Sequence, residues 1–197
     1  MNAAEKHLSK EDPVMATIIK QVPPFERYKA SSYFEALTES IVSQQLSVKA
    51  ADTIWQRFIA LLPEKKVRAE TVWDLPDQKI RDAGISWSKI SYIKDLAKKT
   101  MESGLLFEQF EIMTDEEIIT ELIKVKGIGR WTAEMFLMFA MERPDVFSYG
   151  DLGLRRAIQR WYGLDHEPTQ EEADKIADKW RPHRTVACRY LWRSLDL

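Results

Sequence analysis

A single cysteine, Cys188, stands in 197 residues. That scarcity excludes an internal disulfide and any site built from four cysteines, whether zinc or iron–sulfur. Histidine is scarce too, with three scattered copies, so a dedicated transition-metal centre is not expected. An excess of positive charge is also missing. Lys and Arg number 29 against 31 Asp and Glu, the net charge is −2, and the pI is near 6.0. The molecule as a whole therefore exerts no pull on a polyanion, and any such contact must come from a local patch or from backbone groups. No charged-then-apolar leader and no apolar run of membrane-spanning length occurs, so neither a signal peptide nor a membrane span is expected. Strand signals are weak: Val22-Pro23-Pro24 and Asp145-Val146-Phe147 read as short extended links. The first dozen residues are polar and are expected to fray.

What is present is a core and a helical rhythm. Apolar residues make up 45% of the chain and charged residues 30%, as in globular proteins, and seven Trp with eight Phe supply bulk. Phe34, Leu37, Ile41, Leu46, Ala50, Ile54 and Phe58 recur at helical spacing, with Ser32 and Glu35 as a capping box and Pro63 as the stop. The polar stretch Ser43-Gln44-Gln45-Leu46-Ser47 is a candidate break in that run. Further helices are predicted over 77–83, ended by Gly84, and over 88–103, ended by Gly104. Thr114 and Glu117 cap a helix to Val125, and another runs from Arg130 to Met141. Gly150-Asp151 precedes an apolar-periodic run to Trp161, Thr169 and Glu172 cap a helix to Trp180, and Pro182 opens the last one.

The pattern predicts an all-α chain whose tightest turn is a helical hairpin at 114–141. The hairpin turns on Lys126-Gly127-Ile128-Gly129. Glycine allows positive φ and close approach of another molecule. The amides that open the next helix lack partners within it and suit an anion such as phosphate. Lys124, Lys126 and Arg130 add charge beside them. Such a contact positions a protein on DNA without specifying sequence. A compact turn between two helices would use the same glycines.

The run Val125-Lys126-Gly127-Ile128-Gly129-Arg130-Trp131-Thr132-Ala133 resembles the helix-hairpin-helix of the base-excision DNA glycosylases. Downstream, Pro144 to Asp151 is similar to the family's loop and catalytic aspartate. Ile41 to Ala51 resembles its N-terminal probe motif. Arg81 to Ser86 with Lys89, Tyr92 and Ile93 resembles a second block, and Trp180 to Arg184 with Ala187, Tyr190, Leu191 and Trp192 a C-terminal one. The resemblance runs from about residue 30 to the end and is strongest to the 3-methyladenine DNA glycosylase II group. About thirty residues precede the first block, so the extra N-terminal β-domain of longer members is not expected.

The resemblance implies an all-α fold of two helical lobes with an active-site cleft between them: a central lobe, 36–141, containing the helix-hairpin-helix at 114–141, and a terminal lobe combining 1–35 with 142–197. It also implies an enzyme of base excision repair. Such an enzyme would flip alkylated purines such as 3-methyladenine and 7-methylguanine from double-stranded DNA and hydrolyse the N-glycosidic bond. Asp151 would be the catalytic carboxylate, a role compatible with an N-cap. Trp131, Met135 and Tyr149 would contact the base, and Tyr33, Phe34, Trp87 and Trp192 are further aromatic candidates. Trp131 would stack on a cationic base or pack between helices. Gln45 and Leu46 would fill the hole left in the duplex, or the segment is a solvated turn. Gly127, Gly129, Arg130 and Thr132 would hold DNA, and Gly127→Glu would weaken all DNA binding. Lyase-competent relatives carry a lysine at the position of Trp131, so a monofunctional enzyme without β-lyase activity is implied.

No cofactor is required and no iron–sulfur cluster is expected. A structural Na+ or K+ would use the carbonyls of Ile123, Val125 and Gly127. The expected partner is DNA with alkylated bases, the expected state a monomer without membrane contact. The place would be intracellular, with DNA: nucleoid or cytoplasm in a bacterium, nucleus in a eukaryote. A non-catalytic helix-hairpin-helix DNA-binding or damage-sensing protein, a glycosylase for neutral lesions, and a helical interaction protein are the alternatives.

Overall fold

The computed structural model describes residues 1–25 and 30–197. Among them are twelve α-helices and no strand: α1 Ala3–Glu11, α2 Pro13–Gln21, α3 Tyr33–Ser43, α4 Val48–Ile59, α5 Ala69–Asp74, α6 Asp77–Asp82, α7 Trp87–Met101, α8 Asp115–Leu122, α9 Arg130–Phe139, α10 Leu152–Tyr162, α11 Gln170–Ala177 and α12 Arg184–Arg193. None is long and apolar enough to cross a membrane. The chain divides into two units, Met1–Lys29 with Leu137–Leu197, and Ala30–Phe136. The sequence reading set these divisions at 35/36 and 141/142. Residues 26–29 of its terminal lobe lie outside the described residues.

The Ala30–Phe136 unit is built on α7, which packs against α3 and α5. Its Ile90, Ile93, Leu96 and Ala97 are buried with Phe34, Leu37, Ile41 and Val42 of α3. The predicted break between α3 and α4 is real: Ser32 caps the first helix and Ser47 the second. Helix α5 was not foreseen, because six residues carry too little periodicity to register. Lys94 of α7 ties its C-terminus down, donating to the carbonyls of Trp73 at 2.5 Å and Leu75 at 2.6 Å. Thr114 and Glu117 form the predicted capping box of α8.

In the other unit the amino terminus does not fray. Asn2 and Glu5 form a capping box on α1, Leu8 is fully buried, and the Tyr190 hydroxyl donates to Glu5 at 2.8 Å. Tertiary burial of one apolar stripe outweighs the polar composition. Asp12 then caps α2, whose first residue is Pro13, a start signal legible in the sequence and overlooked there.

Asp12 is the polar centre of this unit. It is 2% exposed and accepts four hydrogen bonds. Oδ1 takes the Val14 and Met15 N–H groups, and Oδ2 takes the Tyr162 hydroxyl at 2.5 Å and Trp180 Nε1 at 3.0 Å. Burial and this carboxylate push the Tyr162 phenol upward, so it stays a donor. Asp12→Ala would leave buried donors without acceptors and remove a cap. It should lower stability by about 3–5 kcal/mol, with Asp12→Asn less severe, as read from urea unfolding.

Candidate DNA-binding and catalytic site

The hairpin between α8 and α9 takes its shape from one glycine. Gly127 has φ +79°, and a Cβ there would lie 2.1 Å from the Tyr92 ring of α7. The close approach that the glycine permits is therefore filled by the protein itself. Gly129 differs: a Cβ there would meet nothing within 4 Å. It stands exposed just before α9, whose first intrahelical bond runs from the Ala133 N–H to the Gly129 carbonyl. As at any helix start, amides ahead of that bond have no carbonyl partner within the helix, and the positive end of the dipole lies there. The surface offered to an anion is thus at Gly129.

The cations nearby are largely committed. Arg130 forks onto both oxygens of Glu116 on α8, and its Nε donates to Glu134 on α9 at 3.0 Å. Pairing with Glu116 raises the Arg130 pKa and lowers that of Glu116. Arg130 is therefore a strut between the hairpin's helices rather than the spare cation the sequence reading made of it. Lys124 pairs with Glu121 at 2.6 Å. Lys126 is exposed with no ion pair among the described residues; its backbone N–H donates to Asp95 at 2.9 Å. Burial alone would raise the Asp95 carboxyl, but bonds from Lys99 and this N–H hold it below the usual range.

The α3–α4 turn is fastened to the same hairpin. Gln44 Nε2 donates to the Gly127 carbonyl at 2.9 Å. Lys89 Nζ donates to the Val42 and Gln44 carbonyls at 2.7 and 2.6 Å, closing the end of α3. Burial lowers the Lys89 pKa. Held this way, the turn puts Gln45 at φ +56° and leaves Gln45 and Leu46 exposed. Gln44 and Lys89 are positioning residues that sequence reasoning left unassigned; a glutamine pair at a helix break was the available signal.

Five of the predicted residues, Gln45, Leu46, Gly127, Trp131 and Thr132, line one cavity of about 610 Å3. Trp131 is 46% exposed, while Thr132 is 5% exposed. Met135 is half-buried one turn beyond Trp131. Of the carbonyls proposed for a cation, that of Val125 already accepts the Ile128 N–H and that of Gly127 accepts Gln44. Each retains a second lone pair, so a hard monovalent cation fits the donor chemistry only by sharing those oxygens.

Asp151 and Tyr149 belong to the other unit. Their loop is anchored at Asp145, which receives Arg181 and Arg184 at 2.7 and 2.8 Å, and at Thr185, whose hydroxyl bridges the Arg143 carbonyl and the Val146 N–H. Asp151 caps α10, with Oδ1 accepting the Leu154 N–H at 2.8 Å and Trp192 Nε1 at 2.8 Å. Capping and orientation are therefore one arrangement. Gly153 makes room for it, since a Cβ there would come within 3.0 Å of Asp151 Oδ1 and 3.2 Å of the Trp192 ring. Trp192 is thus a partner of the carboxylate, a role its place among the candidate aromatics did not reveal. Tyr149 is tied down by its hydroxyl on the Pro168 carbonyl and by Arg155, 5.4 Å from its ring. Phe34 is core, and Tyr33 sits in a ring cluster with Phe107, Phe110 and Phe136.

In the Ala30–Phe136 unit, a helical hairpin with an open glycine at a helix start is a surface suited to a phosphate backbone. The family comparison agrees: residues 38–183 match the HhH-GPD superfamily base excision DNA repair proteins, and the chain belongs to that superfamily. It is 34% identical to Schizosaccharomyces pombe DNA-3-methyladenine glycosylase 1, over 100% of this chain and 89% of that one. It is also 34% identical to Bacillus subtilis YfjP over 84% of its length, but spans 60% of that protein. Among solved structures it is similar to the S. pombe 3-methyladenine DNA glycosylase Mag1 in complex with abasic DNA. The TM-score is 0.89 and the identity 33%, covering 100% of this chain and 98% of that one.

The two hairpin glycines should separate in a stability experiment. Gly127→Ala forces an L residue into positive φ beneath Tyr92 and should cost about 3 kcal/mol or more. Gly129→Ala should change stability by less than about 0.5 kcal/mol. Urea unfolding of both variants checks this. It also makes position 129, rather than 127, the place to probe DNA contact.

Proposed function

We propose that this chain is a monofunctional alkylbase DNA glycosylase, which flips an alkylated purine from duplex DNA, hydrolyses its N-glycosidic bond and leaves an abasic site. The observation that carries the reading is the Asp151 carboxylate held by two N–H donors at the start of α10, in a chain of the base-excision superfamily. The names of the relatives support the substrate class. An N3- or N7-alkylated purine is already cationic, so its leaving needs no acid. As the C1′–N bond breaks, its electron pair neutralises the base, and positive charge develops on the sugar. An oriented anion stabilises that charge and directs water to C1′; the proton of the adding water passes to the carboxylate or to solvent. Trp131 stands where a lyase would need an amine, so water is the nucleophile and no Schiff base forms.

Each remaining residue has a bounded part. The amides after Gly129 hold a phosphate, Gln45 and Leu46 enter the gap in the duplex, and Trp131 with Met135 and Tyr149 meets the base. A Na+ or K+ on the carbonyls of Ile123, Val125 and Gly127 would help anchor DNA; no step of hydrolysis passes through it. A binding-only protein would need the hairpin but not a carboxylate around which Gly153 and Trp192 are fitted.

Base release from methylated duplex DNA tests this. Wild type should liberate 3-methyladenine and 7-methylguanine, with strand breaks only after alkali. Asp151→Asn keeps an oxygen for both N–H donors, removes the charge and replaces the second oxygen by an NH2 group. It should lose about 10²–10³ in rate with DNA affinity kept. Equal release by both proteins would mean another carboxylate acts, and no release by wild type would return the chain to a different lesion or to binding alone. Gly129→Glu should weaken binding to damaged and undamaged duplex alike at fixed salt.

A further inference from the structure

One cavity lies outside all of this. Trp73, Trp87, Lys94, Asp95, Lys98 and Lys126 line a cleft of about 360 Å3 in the Ala30–Phe136 unit. The two tryptophans are 42% and 55% exposed. Indole left in water is a cost that core packing would have removed, and an exposed aromatic patch of this kind marks a binding surface. Two of the charges are spent internally. Lys94 is bonded to the Trp73 and Leu75 carbonyls, with its ammonium 5.9 Å from the centre of the Trp73 ring. Asp95 is taken by Lys99 and the Lys126 N–H. Asp77, which also lines the cleft, lies 3.5 Å from Lys94, and exposed Lys98 is 3.8 Å from Glu102. The charge left over for a ligand is therefore the ammonium of exposed Lys126, with the loosely paired Lys98 beside it. Lys126 directly precedes Gly127, so the cleft is continuous with the hairpin.

We infer that this cleft is a second nucleic-acid subsite, which takes an unpaired nucleotide of a DNA strand continuing past the hairpin. The base stacks on an exposed indole, and the adjoining phosphates meet Lys98 and Lys126. Aromatic faces beside a cationic groove hold single-stranded nucleic acid without reading its sequence. The volume suits a ligand of nucleotide size. A purely apolar peptide would leave the lysines unanswered, and a bare anion would leave the indoles in water. The inference rests on the DNA glycosylase reading above.

The test compares a blunt duplex with the same duplex carrying a short single-stranded extension, by fluorescence anisotropy at fixed salt. Wild type should bind the extended DNA about tenfold more tightly, which corresponds to stacking of roughly one base. Trp87→Ala should lose that gain and Lys98→Glu should reduce it, while both keep wild-type affinity for the blunt duplex and wild-type base release from it. The exposure of both side chains makes folding of the variants straightforward to verify by thermal melting. An equal gain in wild type and Trp87→Ala overturns the proposal. So does no gain in wild type, which would turn attention to a protein partner for this face. Base release from the blunt duplex is scored in the same preparations, so a failure of the glycosylase reading registers separately.

Discussion

The backbone at Gly127 is the constraint on which the hairpin depends. Its positive φ and missing side chain let the Tyr92 ring of α7 lie directly against the main chain. Its carbonyl then faces the amide of Gln44. One residue thus joins three segments of the Ala30–Phe136 unit: the core helix, the hairpin and the α3–α4 turn. Gln45 and Leu46 are exposed on a turn that has no helical ladder of its own. They are held because Gln44 is bonded on one side and Lys89 closes α3 on the other. Rigid support from a neighbouring element is what lets a loop carry function.

The carboxylate site in the other unit follows a different logic. There the loop before α10 is long and irregular, so its backbone groups must find partners elsewhere. Thr185 and Arg184 supply them, Thr185 through the Arg143 carbonyl and the Val146 N–H and Arg184 through the Asp145 carbonyl, and the loop ends on a helix cap. A capping aspartate is positioned by the helix it begins, and the second donor, Trp192 Nε1, sets the orientation of the carboxylate about that cap. The absence of a side chain at Gly153 matters as much as the presence of one at Trp192.

Much of this was legible in the residues, and the limits have physical causes. Helices with caps and strong periodicity, such as α3, α8 and α11, were readable because the signals are local. The break at Ser43–Ser47 was readable because polar residues interrupt an apolar stripe. Helix α1 was misjudged although its Asn2–Glu5 capping box is a local signal; what no local rule sees is the burial of Leu8 and the hydrogen bond from Tyr190, far along the chain. Asp151 was singled out through a motif, and the structure shows it as the cap of α10. Its partner Trp192, forty-one residues later, was named only as an aromatic. Arg130 shows a related limit. A cation beside a glycine turn reads as a ligand for phosphate until the carboxylates of Glu116 and Glu134 are placed around it. Sequence proximity reports charge but not whether that charge is already paired.

That last point resolves the tension between a polyanionic partner and a protein of pI near 6.0. Around the hairpin, Arg130 and Lys124 are engaged with carboxylates, so their contribution to a field at DNA distance is small. Recognition through backbone amides at a helix start needs no net charge, because the donors and the dipole are fixed by the fold. It also carries little sequence information, which suits a protein that must settle on any stretch of duplex. On the glycosylase reading proposed above, discrimination would fall to the cavity beside Trp131 and to the Asp151 carboxylate, toward the base and the sugar rather than the backbone. A weakly charged surface favours brief encounters over tight nonspecific residence. Binding energy is thereby reserved for the nucleotide that can leave the stack.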